Sequence, residues 1–96
     1  MELTIIARFH AREGQEASLA AAIEAVSAPT RAEPGCLAYG GYRSTRDARL
    51  FFIHSRWQDE AAFEDHAGLA HTVEFLARVE PLIDHPFDIA RTRQFA

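Results

Sequence analysis

Leu50-Phe51-Phe52-Ile53 is an unbroken apolar run inside the segment Arg49 to Trp57, and it constrains the fold more than any other feature of the chain. A strand with one face in water alternates apolar and polar side chains, so a continuous run marks a strand covered on both faces. With 96 residues the chain has room for one domain and one layer of helices, enough to cover one side of a sheet. The other side must meet something else, and an identical sheet from a second copy is the simplest candidate. The run therefore predicts a homodimer of a single domain spanning residues 1–96.

The rest of the chain alternates between strand and helix patterns. Leu3, Ile5, Ala7 and Phe9 interleave with Thr4, Ile6, Arg8 and His10, a period of two that predicts a first strand. Glu13-Gly14-Gln15-Glu16 breaks it and places acid at a helix start, where the macrodipole favours negative charge. Leu19, Ile23 and Val26 then form a helical stripe among alanines. Pro29 is expected to kink or end that helix, and Glu33-Pro34-Gly35 to form a turn. Cys36 to Ser44 predicts a second strand, with Tyr39 and Tyr42 on opposite faces, and Thr45-Arg46-Asp47-Ala48 links it to the third.

Asp59 is a candidate N-cap for a short helix through His66 that Gly68 ends. A further helix starts near His71, carries Thr72, Phe75, Leu76, Val79 and Ile83 on one stripe, and stops around Pro81 and Pro86. Asp88 to Phe95 alternates again, with Ile89 and Phe95 on one face, giving a fourth strand. The order βαββααβ describes an α+β fold of ferredoxin-like topology with a four-stranded antiparallel sheet.

Composition narrows the partners. The net charge of −4 argues against nucleic acid, whose phosphates need a basic face. All ten basic residues are arginine and the chain has no asparagine, a bias of genomic base composition. A lone Cys36 rules out an internal disulfide and fits a reducing compartment. Met1 to Phe9 lack the charged start and apolar stretch of a signal peptide, and no apolar run is long enough for a bilayer. A soluble cytoplasmic protein is the expectation.

The residues themselves resemble a known pattern. Glu33-Pro34-Gly35-Cys36-Leu37-Ala38-Tyr39 is similar to the "EPGCLxY" segment of the antibiotic biosynthesis monooxygenase family. Arg56-Trp57 followed by Asp59-Glu60 resembles that family's "RW-x-D/E" step, and His66, His71 and Phe75-Leu76 its "H-x4-H…FL" signature. Each piece is weak alone, but the ordered set, extending over essentially the whole chain, is specific. The resemblance implies that two ferredoxin-like halves pair sheet to sheet into a dimeric α/β barrel. It also implies a ligand cavity between sheet and helices, and oxidation of phenols or quinols by molecular oxygen without metal, flavin or haem.

Such chemistry needs a proton acceptor, donors for a developing oxyanion and a dry apolar cavity. A deprotonated hydroxyaromatic is electron-rich enough to reduce oxygen itself. His66 is the candidate acceptor: its ordinary pKa lies near neutrality, it shares a helix face with Ala62 and Phe63, and it matches the family's characteristic histidine. A helix-terminal histidine that only caps carbonyls near Gly68 is the alternative. Trp57, Tyr39, Phe63, Phe51, Phe75 and Leu76 are candidate substrate-binding residues, each with a packing role as the competing reading.

The five-residue spacing of His66 and His71 separates them on a continuous helix, Gly68 is placed to break the helix between them, and His10, His54 and His85 are scattered, so no metal is expected. Arg91 and Arg93 share a face of the fourth strand, suited to solvent or a dimer ion pair. The absence of asparagine, together with Phe75 and Leu76 where haem-degrading relatives carry a histidine, disfavours haem degradation. His54-Ser55 stands where many relatives have a hydrophobic residue and a glutamate before Arg-Trp, which leaves open what would hold His66.

The expected function is a cofactor-independent monooxygenase acting on a quinol-like or polyketide-type aromatic. An isomerase or small-molecule-degrading enzyme of the same fold, and a non-catalytic ligand-binding dimer, are the alternatives, because a scaffold does not set the chemistry.

Overall fold

The N-terminal alternation forms strand β1 (Leu3–His10), in a computed structural model that describes residues 1–96. Leu3, Ile5, Ala7 and Phe9 are buried against the helices, and Phe9 is almost completely enclosed. Helix α1 (Glu16–Arg31) lays Leu19, Ala22, Ile23 and Val26 on that same face. Its buried hydroxyls are satisfied within the helix: Ser27 Oγ donates to the Ile23 carbonyl at 2.6 Å and Thr30 Oγ1 to the Val26 carbonyl at 2.7 Å. Pro29 neither ends this helix nor marks its boundary; α1 runs on to Arg31. The bond Pro29 cannot make lies in the last turns, and Ala25, whose carbonyl loses that partner, is exposed to water.

A turn through Glu33-Pro34-Gly35 leads into β2 (Cys36–Arg43), and β3 (Leu50–Trp57) returns antiparallel to it. Asp59 caps α2 (Glu60–Ala67), its carboxylate accepting the Ala62 N–H at 2.9 Å, and Gly68 closes the other end. Helix α3 (Ala70–Val79) follows, then a 3-10 turn (Glu80–Leu82) containing Pro81, then β4 (Asp88–Thr92). The sheet order β2-β3-β1-β4, with every neighbour antiparallel, is the ferredoxin-like arrangement.

Two C-terminal expectations need correction. Ile83 is not on the α3 stripe; the helix has given way at Pro81, and Ile83 is extended and bridges Ala11, still buried. The fourth strand stops at Thr92, and Phe95 lies outside it, fully exposed. Thr92 pairs with Thr4 near the start of β1, so β4 runs out of partner although its alternation continues.

The apolar run of β3 is two-faced as its pattern requires. Phe51 and Ile53 are buried beneath the helices, while Leu50 and Phe52 are half-buried on the face that no helix crosses. Ile6 and Tyr42 share that outer face, with Tyr42 opposite Phe52 in the ladder and 58% exposed. Tyr39 and Tyr42 do point to opposite sides. In one chain the sheet is open, not a closed barrel. No helix is long and apolar enough to cross a membrane.

Candidate functional site

Register brings three distant segments together. Cys36 pairs with Trp57, so the turn before β2 lies beside the chain leaving β3, and the Gln58 N–H donates to the Gly35 carbonyl at 3.0 Å. The turn contributes Glu33, α2 contributes His66, and α3 contributes His71. His66 Nδ1 is 2.8 Å from Glu33 Oε2, and His71 Nε2 is 2.7 Å from the same oxygen. The Glu33 and His66 side chains are each 9% exposed, and His71 is more open at 25%. Thr72 Oγ1 lies 3.2 Å from His66 Nδ1.

The helix break expected at Gly68 is present, with Gly68 N–H returning to the Asp65 and His66 carbonyls, and the restart at Ala70 turns His71 back toward Glu33, bringing together two histidines whose spacing along one helix would keep them apart. Glu33 itself was legible only as part of a turn and a motif. An acid placed immediately before Pro-Gly at the end of an amphipathic helix was the available signal.

A carboxylate accepting from Nδ1 fixes a histidine's tautomer: the proton sits on Nδ1 and the lone pair on Nε2. No protein group bonds to His66 Nε2, so that nitrogen is free to accept a proton. The imidazole is held sterically as well, with ring centroids 4.7 Å from Trp57, 5.9 Å from Phe63 and 6.3 Å from Tyr39. Trp57 is fully buried, and its Nε1–H donates to Ser55 Oγ at 3.0 Å. Ser55, which replaces the expected acid before Arg-Trp, thus orients Trp57, while the carboxylate for His66 comes from a different element.

A partly open cavity of about 90 Å³ lies between the sheet and the helices, chiefly α2 and α3. Twelve of its fifteen lining residues are hydrophobic, and Tyr39, Phe63, His66, Phe75 and Leu76 all reach it, as do the hydroxyl-bearing Ser55 and Thr72. Two candidate lining residues do not. Trp57 packs behind the imidazole, and Phe51 lies in a separate groove between α1 and β2, under the Arg43 guanidinium at 4.5 Å. Burial, with the nearby Cys36 and Glu33 charges, pushes the Tyr39 phenol up to about 12, so Tyr39 is a hydrogen-bond donor at neutral pH.

Away from the cavity, His10 joins three loops' worth of chain: Nδ1 meets Asp84 at 2.7 Å and Nε2 meets Asp47 at 3.0 Å. Hydrogen bonds to these carboxylates raise the His10 pKa; Asp84 is lowered chiefly by His10, and Asp47 first by the Arg49 N–H and then by His10. Arg91 tethers β4 to α2 through Glu60 at 3.1 Å and Glu64 at 3.4 Å, a bridge within the chain.

Known proteins share this fold. The family model described as "Antibiotic biosynthesis monooxygenase" matches residues 3–78. Rv0793 of Mycobacterium tuberculosis, whose name suggests a monooxygenase, is 33% identical over 84 residues, covering 88% of this chain and 82% of its own. Its solved structure superposes with a TM-score of 0.94 over 100% of this chain and 97% of that one, at 28% identity. PA3566 of Pseudomonas aeruginosa gives a TM-score of 0.92 at 34% identity, over 99% and 95% of the two chains. SO0527 of Shewanella oneidensis gives 0.91 at 26% identity, over 97% and 90%.

Proposed function

The chain belongs to the antibiotic biosynthesis monooxygenase family, and from that premise we propose that it oxidises a small hydroxyaromatic with molecular oxygen, without a cofactor. The observation that carries this reading is the Glu33–His66 pair at the wall of an apolar cavity. His66 Nε2 takes the proton of a ring hydroxyl, and Glu33 stabilises the imidazolium that results. The Tyr39 phenol, which lines the cavity and stays protonated at neutral pH, is the donor assigned to the ring oxygen, turning from its hydrogen-bond neighbour Thr30 as negative charge builds there.

The phenolate then passes one electron to oxygen, and recombination forms a carbon–oxygen bond to give a ring hydroperoxide. Loss of the ring hydrogen and cleavage of the O–O bond release water and leave a carbonyl. For a hydroquinone the sum is one substrate and one O₂ giving one hydroxyquinone and one water. All four electrons come from the ring. The apolar lining keeps water from the charged intermediates.

Cavity size selects among substrates. An engineered apolar cavity of about 150 Å³ takes benzene, so at about 90 Å³ even a single ring needs the lining to give way, and a fused polyketide more so. Leu76 and Ile89, which line the cavity yet are 36% and 47% exposed, are the side chains placed to move aside. The same reading includes a homodimer, with Ile6, Tyr42, Leu50 and Phe52 packing against their copies to close a barrel from two open sheets.

The test is isotopic. Chelator-treated protein incubated with a hydroquinone under ¹⁸O₂ is expected to place one labelled atom in the quinone product, with no turnover under anaerobic conditions. Turnover without oxygen would point to proton-transfer chemistry such as isomerisation and overturn the proposal.

A further inference from the structure

Glu33, His66 and His71 converge more closely than a single hydrogen-bonded pair requires. Each offers one ligand atom, Oε2, Nδ1 and Nε2 respectively, and all three lie within 4.8 Å of one another. Two imidazoles and a carboxylate are a donor set that zinc accepts, with nitrogen and oxygen at about 2.0–2.2 Å and a fourth position left to water. Two of the three contacts are hydrogen bonds at 2.7 and 2.8 Å, so loss of the shared protons and a spread of about half an ångström would open them to the roughly 3.3–3.6 Å edge of a tetrahedral zinc site. His71 is the most exposed member, so its ring has room to adjust.

The site is also accessible from outside. His71 lines a surface depression between α1 and α3, with Ala22, Glu74 and Arg78. Glu33 lines another beside Gly35 and Asp59. An ion can therefore arrive without passing through the apolar cavity, on the Nδ1 side of His66.

We propose that Glu33, His66 and His71 form a binding site for a divalent zinc-like cation, and that its occupancy silences His66. A neutral imidazole bound to metal through Nδ1 must carry its one proton on Nε2. That is the nitrogen the oxidation needs bare, so the bound ion removes the proton acceptor. Metal binding stands on the geometry of the three residues alone; the silencing rests on the function proposed above.

Chelator-treated protein is titrated with Co²⁺, read by its visible absorption, and with Zn²⁺ in competition. One ion per chain, bound through nitrogen, is expected, and His71→Ala is expected to weaken binding roughly tenfold or more. His85→Ala, at the separate cluster of His10, Asp84 and His85, is expected to leave binding unchanged. No Co²⁺ binding, or binding lost in His85→Ala and retained in His71→Ala, would overturn the site. Where oxygen uptake on a hydroquinone is present, Zn²⁺ is expected to abolish it in the wild type and spare it in His71→Ala. Binding that leaves uptake unchanged or raises it would overturn the silencing while leaving the site intact.

Discussion

Glu33 and His66 stand 33 positions apart in the chain, yet their side chains meet at 2.8 Å in a largely buried contact. Neither helix periodicity nor a local motif produces that meeting. It follows from the β2–β3 ladder, whose pairing of Cys36 with Trp57 sets the turn before one strand against the helix after the other. The contact converts an imidazole into an oriented proton acceptor, so fold and chemistry are joined at this point.

Glu33→Gln keeps the shape of that contact and removes its charge. A hydroquinone-dependent oxygen uptake assay is expected to show kcat reduced about ten- to a hundredfold with KM little changed. The stability cost, read by urea unfolding, is expected to be about 1.5–3 kcal/mol, the range for a hydrogen bond to a charged group. An unchanged kcat would remove Glu33 from the account.

Gly35→Ala tests how the fold delivers the site. A Cβ at Gly35 would overlap Ala62 Cβ on α2, so the helix that carries His66 must move away from the turn that carries Glu33. The overpacking is expected to cost about 1–3 kcal/mol, and kcat is expected to fall further than that of a variant equally destabilised elsewhere. Oxygen uptake and urea midpoints, measured together, separate the two effects.

The His10 cluster gives the protein a pH signature of its own. The His10 pKa is raised above its ordinary value of 6.5, so its contribution is fully present below that pH and is lost as pH climbs through the raised value. Asp84 and Asp47 are lowered below 3.8, so their contribution is present above that value and is lost as pH falls through the lowered ones. Stabilisation from the cluster is therefore complete between about pH 4 and 6.5. Urea midpoints of the wild type are expected to decline above that window relative to His10→Gln, in which the dependence flattens.

Phe52→Arg places a charge in the middle of the face that no helix covers. Sedimentation at micromolar concentration is expected to show a dimer for the wild type and a monomer for the variant. A monomeric wild type would leave Leu50, Phe52 and Ile6 without a cover and contradict the two-sheet barrel.

The fold was legible where its causes are local. Alternation in β1 and β3, the Asp59 cap and the Gly68 stop each act over a few residues, and each predicted its element to within a residue or two. Pro29 does not end α1 because its penalty depends on whether the orphaned carbonyl is buried, and Ala25 is exposed. Phe95 misled because a strand ends where its partner does, and β1 offers nothing beyond Leu3.

The site divides along the same line. His66 could be read from its helix face, but Glu33 depends on register between strands. Phe51 shares the inward face of the sheet with Ile53 and Ser55, yet α1 covers its end and α2 with α3 enclose the cavity at the other. Alternation says which face a side chain takes, not which part of that face a pocket occupies.

Oxygen consumption with a single-ring hydroquinone, compared between the wild type and His66→Ala in the absence of added metal or cofactor, reaches the central claim most directly. Loss of the oriented base is expected to lower kcat roughly a hundredfold or more, with the variant still folded by circular dichroism. Equal uptake by the two proteins, or none by the wild type across a panel of such substrates, would contradict it.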